Sequence, residues 1–304
     1  MLMRLGARTP SPAEQPIGRA ALQALLAERE GILTDDSRLL ALLAQRRNSL
    51  DRRLVAVAAR RDPARPATAL EEAMGSPLPT HEDLFPARAA TVFLQALKAG
   101  SVLLDQDGVE WAQAVPAGFG PVSSADTRLR PTSVEVLAPD PWLAETHPLR
   151  RLAGPRRAPS RVRAAWPSRF NMDGWTSVLA EICLGAEDFG RLRVERARTV
   201  AAEAAVLIHT RGMTQAEALV LLRDIGGYDE PSATKAYRAL WADPLAALAP
   251  VLGRILYDRL QSDTTDATGA TPGEFRTQFL EAGPLPFPLL RALFLGPAPA
   301  HTDL

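Results

Sequence analysis

The sequence is poor in several residue types, and each shortage argues against a class of protein. Its single cysteine, Cys183, excludes an internal disulfide and favours a reducing compartment. Lysine is almost absent, with only Lys98 and Lys235, and the net charge is +0, so no global field attracts nucleic acid or an acidic membrane. The chain has no run of about 18 apolar residues, and its N-terminus lacks the apolar core of a secretory signal. We therefore expect a cytoplasmic protein that binds neither nucleic acid nor a membrane.

Helical periodicity is present on both sides of a short central region. Between Asp36 and Arg60, leucine and valine recur at helical spacing, and the prolines that follow break the pattern. The other face of this predicted helix carries four arginines, which favours a solvated surface over a nucleic-acid interface. These arginines are Arg46, Arg47, Arg52 and Arg53. Further helices are predicted at about 168–184, 188–211, 214–226, 231–241 and 244–261, then a polar loop at 262–270, a short helix from Thr271 and a last helix after Pro284.

The central region changes from helical spacing to short alternating segments. Ser101–Asp105, Val109–Val115 and Ser133–Leu137 read as strands, and Asp107-Gly108 is a favourable hairpin turn. The predicted fold is therefore mainly α, with a small antiparallel β ribbon at about 101–138. We expect a flexible leader at 1–16, one helical domain at 17–297 and a tail at 298–304. Within that domain, 17–100 would hold N-terminal helices and 139–297 a helical core.

The stretch from Ser168 to Glu181 is the most distinctive segment of the chain. It places Asp173 beside Gly174 and Trp175 at the start of a predicted helix, with Glu181 two turns later on nearly the same face. A carboxylate in such a position can be a metal ligand if histidines elsewhere complete the site.

The second half of the chain resembles the domain of unknown function 885 family, which is similar to the helical zinc metallopeptidases. That family carries a His-Glu-x-x-Pro-Gly-His-His-Leu-Gln segment, then a Glu-Gly-Trp-Ala-x-Tyr helix, then a Gly-x-His-x-x-Gly turn. The corresponding segments here are Ala144-Glu-Thr-His-Pro-Leu-Arg-Arg-Leu-Ala153, Asp173-Gly-Trp and the turn at His209 and Gly212. The resemblance covers roughly three quarters of the chain and matches only about the C-terminal half of a typical family member. It implies a metallopeptidase-like helical scaffold.

The zinc ligands that the resemblance implies are eroded in this chain. Ala144 and Arg150 stand where the family has ligand histidines, and Asp173 replaces a ligand glutamate. Alanine offers no lone pair, and arginine is permanently cationic and would repel Zn²⁺. His147 lies one residue from a matching position, which on a helix points about 100° away. Glu145 has little to activate without a metal-bound water.

We therefore predict a pseudoenzyme with no metal and no cofactor, in which Arg150 pairs with Glu145 or Asp173. Its partner would be a peptide or protein, such as a catalytic paralogue or a second copy of the chain. One alternative is a zinc-dependent hydrolase that uses His147, Asp173 and His209, and another is a purely structural subunit. The predicted remnant site consists of Glu145, His147, Arg150, Asp173, Trp175 and His209.

Overall fold

The computed structural model describes residues 16–79, 168–296 and 302–303. The predicted β ribbon lies outside these residues, as do Ala144, Glu145, His147 and Arg150. The described part of the chain contains ten α-helices, which confirms the prediction of a mainly α fold. They are α1 (Arg19–Glu30), α2 (Asp36–Arg61), α3 (Pro66–Gly75), α4 (Arg169–Leu184), α5 (Phe189–Arg211), α6 (Gln215–Val220), α7 (Glu230–Ala242), α8 (Pro244–Thr268), α9 (Pro272–Ala282) and α10 (Phe287–Leu295). A π-helical turn, Leu221–Ile225, directly continues α6.

Two short strands join distant parts of the sequence. β1 (Ile32–Leu33) pairs in parallel with β2 (Thr302–Asp303), Ile32 opposite Thr302. Residues 302–303, which we expected to belong to a tail, therefore pair with the segment that links α1 and α2.

The helices pack around two long central ones. α8 lies against α4 and α5, and α5 also lies against α2. The largest apolar core draws side chains from α1, α2, α4, α5, α8, α9 and α10, with Leu248, Leu252 and Phe275 almost fully buried. A second core joins α5 to α6 and α7, and a third joins α2 and α3 to the start of α5.

Most helix starts agree with the local capping signals. The side chains of Ser168, Asp188, Thr214 and Thr271 each accept a hydrogen bond from the backbone N–H three residues later, and the last two form complete capping boxes. Such bonds involve only neighbours in sequence, so a single sequence is enough to predict them.

Two helices depart from the sequence prediction. The polar loop expected at 262–270 is wrong, since α8 continues to Thr268 and ends at Gly269 with φ 73°. Thr264 is buried there, and its hydroxyl donates to the carbonyl of Leu260, so this polar side chain is satisfied within the helix. The other departure is α3, which begins at Pro66, a position where proline is tolerated because the first helical N–H has no partner.

The arginine face of α2 is also less solvated than predicted. Arg46 and Arg47 turn towards α5, where they pair with the buried carboxylates of Glu195 and Glu203 at 3.1 Å and 2.9 Å. The side chains of these two arginines are only 16% and 28% exposed. An ion pair that buries both partners across two helices cannot be inferred from the periodicity of either helix alone.

Within the described ranges, no single helix is long and apolar enough to cross a membrane. α7 and α8 meet that criterion only when taken together, and the chain bends by 94° between them.

Candidate functional site

The candidate site is built on a close crossing of α4 and α8 at Gly174 and Gly253. A β-carbon placed on Gly174 would lie 2.3 Å from the carbonyl carbon of Gly253. A β-carbon on Gly253 would lie 2.0 Å from the carbonyl oxygen of Phe170. The two backbones therefore touch, which only glycine allows. This close approach fixes the positions of Asp173 and Trp175, the neighbours of Gly174.

Asp173 is completely buried and pairs with an arginine of its own helix. Its Oδ2 lies 3.4 Å from Nε of Arg169, one helical turn earlier. Nη1 of Arg169 also donates to Oδ2 of Asp243 at 2.8 Å. Burial lowers the pKa of Arg169, but the charges of Asp173 and Asp243 outweigh burial and leave that pKa above its ordinary value. Arg169 is therefore a fixed cation between two carboxylates.

A third carboxylate, Glu30, lies at the N-terminus of α4. Its Oε2 accepts from the hydroxyl of Ser168 at 2.5 Å, and its Oε1 accepts from the backbone N–H of Arg169 at 3.1 Å. Burial raises the pKa of Glu30 to about 7, with a smaller contribution from the charge of Asp173, while the hydrogen bonds oppose this rise. The end of α1 is in this way tied to the helix that carries Asp173.

Trp175 packs in the apolar core next to the crossing. It is 1% exposed, and its ring centre lies 5.8 Å from that of Tyr257 and 5.7 Å from that of Phe279. Tilted ring pairs at these distances are favourable packing arrangements. In these surroundings Trp175 stabilises the junction of α4, α8 and α9.

His209 is buried in the second core, with hydrogen bonds at both ring nitrogens. Nδ1 accepts from the backbone N–H of Ile17 at 3.3 Å, and Nε2 lies 2.9 Å from the carbonyl oxygen of Leu240. Because Nδ1 is the acceptor, the proton belongs on Nε2, and no lone pair is left for a metal. Burial lowers the pKa of His209, with the Leu240 carbonyl opposing it, which favours the neutral ring.

These positions do not fit a catalytic zinc ion. Such a site needs about three protein ligands with free lone pairs. Asp173 is paired with Arg169, and His209 uses both of its nitrogens. In the part of the chain that the structure describes, no three His, Cys, Asp or Glu side chains are grouped so that they could hold a metal.

Glu181 takes part in a separate cluster of charges two turns from Asp173. Its Oε2 lies 3.3 Å from Arg191 and 3.3 Å from Arg254. Arg191 also pairs with Glu195. Glu195 and Arg254 border a cavity of about 10 Å³, room for about one water molecule. Burial would raise the pKa of Glu195, but the surrounding arginines, Arg191 and Arg46 first, hold it at about 2. The two carboxylates of α4 are thus neutralised by different arginines and do not form one site.

Sequence reasoning missed the groups that surround Asp173. Arg169 precedes Asp173 by four residues, a spacing that places the two side chains on one helical face and could have signalled the pair. Glu30 and Asp243 are brought to the site from other helices, and no local pattern announces them.

Comparison with known proteins shows that the chain is similar in fold to a solved structure. No protein-family model matches the chain, and no curated protein matches it. The chain is similar to a solved structure from Shewanella oneidensis, described as a "putative lipoprotein of unknown function", with 13% sequence identity and a TM-score of 0.65. The alignment covers 94% of this chain and 61% of that one, so the chain spans about three fifths of the length of its structural neighbour. At this level of identity the likeness shows the fold alone.

Proposed function

We propose that this chain is a non-catalytic relative of the helical zinc metallopeptidases, which acts as a peptide- or protein-binding or structural subunit. The observation that carries the proposal is the ion pair between Asp173 and Arg169. In the resemblance, Asp173 takes the place of a zinc-ligating glutamate. Here its carboxylate faces a guanidinium.

The ion pair disfavours a metal on electrostatic grounds. Two unit charges of like sign at about 4 Å repel by about 4 kcal/mol at an effective dielectric constant of about 20, and a divalent ion doubles this cost. Because Arg169 keeps its proton at any ordinary pH, it cannot relieve the repulsion by becoming neutral. Zn²⁺ would therefore have to displace Arg169, which would break its contacts with Asp173 and Asp243 together.

His209 supports the same proposal independently. For this ring to bind a metal through Nδ1, the backbone N–H of Ile17 would lose its acceptor. This bond is part-buried and its donor can turn to water, so its loss costs the net value of one hydrogen bond, about 0.5–1.5 kcal/mol. Two of the three ligands in the alternative zinc site, Asp173 and His209, would therefore each have to give up an existing interaction.

Metal analysis of the purified protein tests this proposal. After dialysis against zinc and removal of the excess, we expect far less than one zinc per chain, unchanged in Asp173→Asn. Asp224→Asn, at an exposed aspartate, serves as the matched control. One zinc per chain in the wild type that is lost in Asp173→Asn and kept in Asp224→Asn would overturn the proposal, and peptidase activity that tracks this zinc would establish the alternative.

The identity of the partner is part of the same proposal. A catalytic paralogue that co-purifies with the chain would favour a structural role, whereas a two-fold molar mass in light scattering would favour a second copy. The absence of nucleic-acid and membrane partners and the cytoplasmic location stay predictions from the sequence, and cell fractionation tests the location.

A further inference from the structure

The last helix presents an apolar face to solvent. Eight of the nine residues of α10 are apolar, and its only charged residue is Arg291. Phe287 and Leu290 are buried against the core, whereas Leu289 and Leu293 are 55% and 57% exposed. These two leucines are four residues apart and so share one side of the helix. A helix that is apolar all round is normally covered on all sides.

A groove adjoins this face. It has a volume of about 470 Å³ and is lined by Thr268, Gln278, Glu281, Ala282, Leu293 and Phe294. We call it the C-terminal groove, because Thr268 and Ala282 are the last residues of α8 and α9, and the other lining residues are in the final turns of α9 and α10. Leu293 belongs both to the groove and to the exposed face of α10, so the two form one continuous surface.

The charge of the C-terminal groove is negative. The C-terminal end of an α-helix carries the negative end of the helix dipole. Three such helix ends meet at the groove, and the exposed carboxylate of Glu281 adds a full negative charge. Arg291, the cation of α10, already pairs with Asp263. The surface therefore combines exposed leucines with an acidic groove.

We propose that the C-terminal groove and the exposed face of α10 bind a basic amphipathic helix of a partner protein. Apolar side chains three or four residues apart on that helix would cover Leu289 and Leu293. An arginine or lysine beside them would meet Glu281 and the helix ends. This is the usual way in which an amphipathic helix binds a groove, with apolar anchors for affinity and charge for selectivity.

The acidic groove also argues against the other occupants of an apolar surface. An anionic lipid surface attracts basic residues, not Glu281. A symmetric contact between two copies of the chain would use the same patch on both, so that Glu281 and the helix ends of one copy would face those of the other. A basic helix removes this like-charge repulsion.

The inference rests on the binding role in the proposed function and names its partner class, but it does not depend on the metal site. The zinc measurement involves Asp173 on α4, whereas the test below involves Leu293 and Glu281. The two can therefore fail separately.

The test is a selection from a displayed library of amphipathic helical peptides with randomised flanking positions. The full-length wild type is the target, and Leu293→Ser is used for counter-selection. We expect enriched peptides to be rich in arginine or lysine. Fluorescence anisotropy then measures their affinity for the wild type and for each variant. Leu293→Ser should weaken binding roughly tenfold, the value of partly burying one leucine. The Glu281→Arg protein should bind the basic peptides more weakly. It should bind variants of these peptides that carry glutamate.

Val220→Ser is the matched control, since Val220 is 48% exposed on α6, away from the groove. It should leave the affinity unchanged. The inference is overturned if no peptide is enriched on the wild type over Leu293→Ser, or if the enriched peptides are not basic. Binding to phosphatidylserine vesicles without peptide selection, or a dimer that Leu293→Ser dissociates, would overturn it in favour of a membrane or of a second copy.

Discussion

Glu30 makes the stability of the protein depend on pH in an unusual direction for a carboxylate. Its pKa is raised from 4.5 to about 7 in the folded protein. A group whose folded pKa is raised binds its proton more tightly when folded, so its contribution to stability is fully present below about pH 4.5 and is lost as the pH rises through about 7. The whole difference corresponds to about 3 kcal/mol of folding free energy, and most of it is lost between about pH 5 and about pH 8.

The assay compares the wild type with Glu30→Gln, which keeps the size of the side chain and stays neutral. Urea unfolding followed by circular dichroism at several pH values gives the free energy of unfolding of each variant. Because every other titrating group, including His209, is common to both proteins, the difference between the two curves isolates Glu30. We expect the wild type to lose roughly 2–3 kcal/mol relative to Glu30→Gln from about pH 5 to about pH 8.

The control is Glu28→Gln, at an exposed glutamate of the same helix, whose difference from the wild type should not change over this range. The reasoning is refuted if the wild type and Glu30→Gln differ by the same free energy at both pH values. It is also refuted if the wild type gains stability relative to Glu30→Gln as the pH rises.

Two further changes probe the helix crossing and the buried charges. Gly253→Ala places a methyl group against the carbonyl of Phe170 and should destabilise the protein by about 3 kcal/mol in urea unfolding. Gly273→Ala, whose methyl group would meet its nearest neighbour at an ordinary contact distance of 3.9 Å, should cost less than about 1 kcal/mol. Equal costs at the two glycines would contradict the close crossing. Glu195→Gln removes the buried counter-charge of Arg46 and Arg191, whose other carboxylate partners are Asp258 and Glu181, and should cost about 3 kcal/mol near pH 7. The effect fades as the pH falls below about 4.5 towards 2, because the wild type then loses the same carboxylate. Glu28→Gln is again the control, and a cost that stays constant from pH 7 to acid would count against the charge cluster.

The parts of the fold that could be predicted are those determined by neighbouring residues. The capping side chains of Thr214 and Thr271 and the apolar spacing of α2 all act within a few residues, and the structure places these helices where the sequence indicates. The end of α8 was mispredicted because polar composition suggested a loop. In the structure, the hydroxyls of Thr264 and Thr268 each bond to a carbonyl one turn earlier, so these threonines are accommodated in the helix.

The candidate site was predictable only in outline. Asp173, Gly174 and Trp175 stand out in the sequence, and all three are buried or closely packed at the crossing. The guanidinium that pairs with Asp173 belongs to Arg169, four residues earlier. Glu30 and Asp243, which bond to Arg169, are more than 60 residues away in sequence and reach it only through tertiary packing. The predicted pairing of Arg150 with Asp173 or Glu145 lies outside the described residues and stays a prediction.

The family resemblance also stays a prediction. The structural neighbour supports a shared helical fold, and 13% identity carries no activity from one chain to the other. The residues that would decide kinship with the metallopeptidases lie partly in 144–153, whereas the described residues contribute Asp173 and His209.

The pair of Arg169 and Asp173 sets the order in which a protein engineer would have to work on this scaffold. Adding histidines around Asp173 first would crowd ligands next to a guanidinium that already holds the carboxylate. Arg169 would have to be replaced by a neutral residue before any ligand is introduced, and Asp243 would then need a new counter-charge.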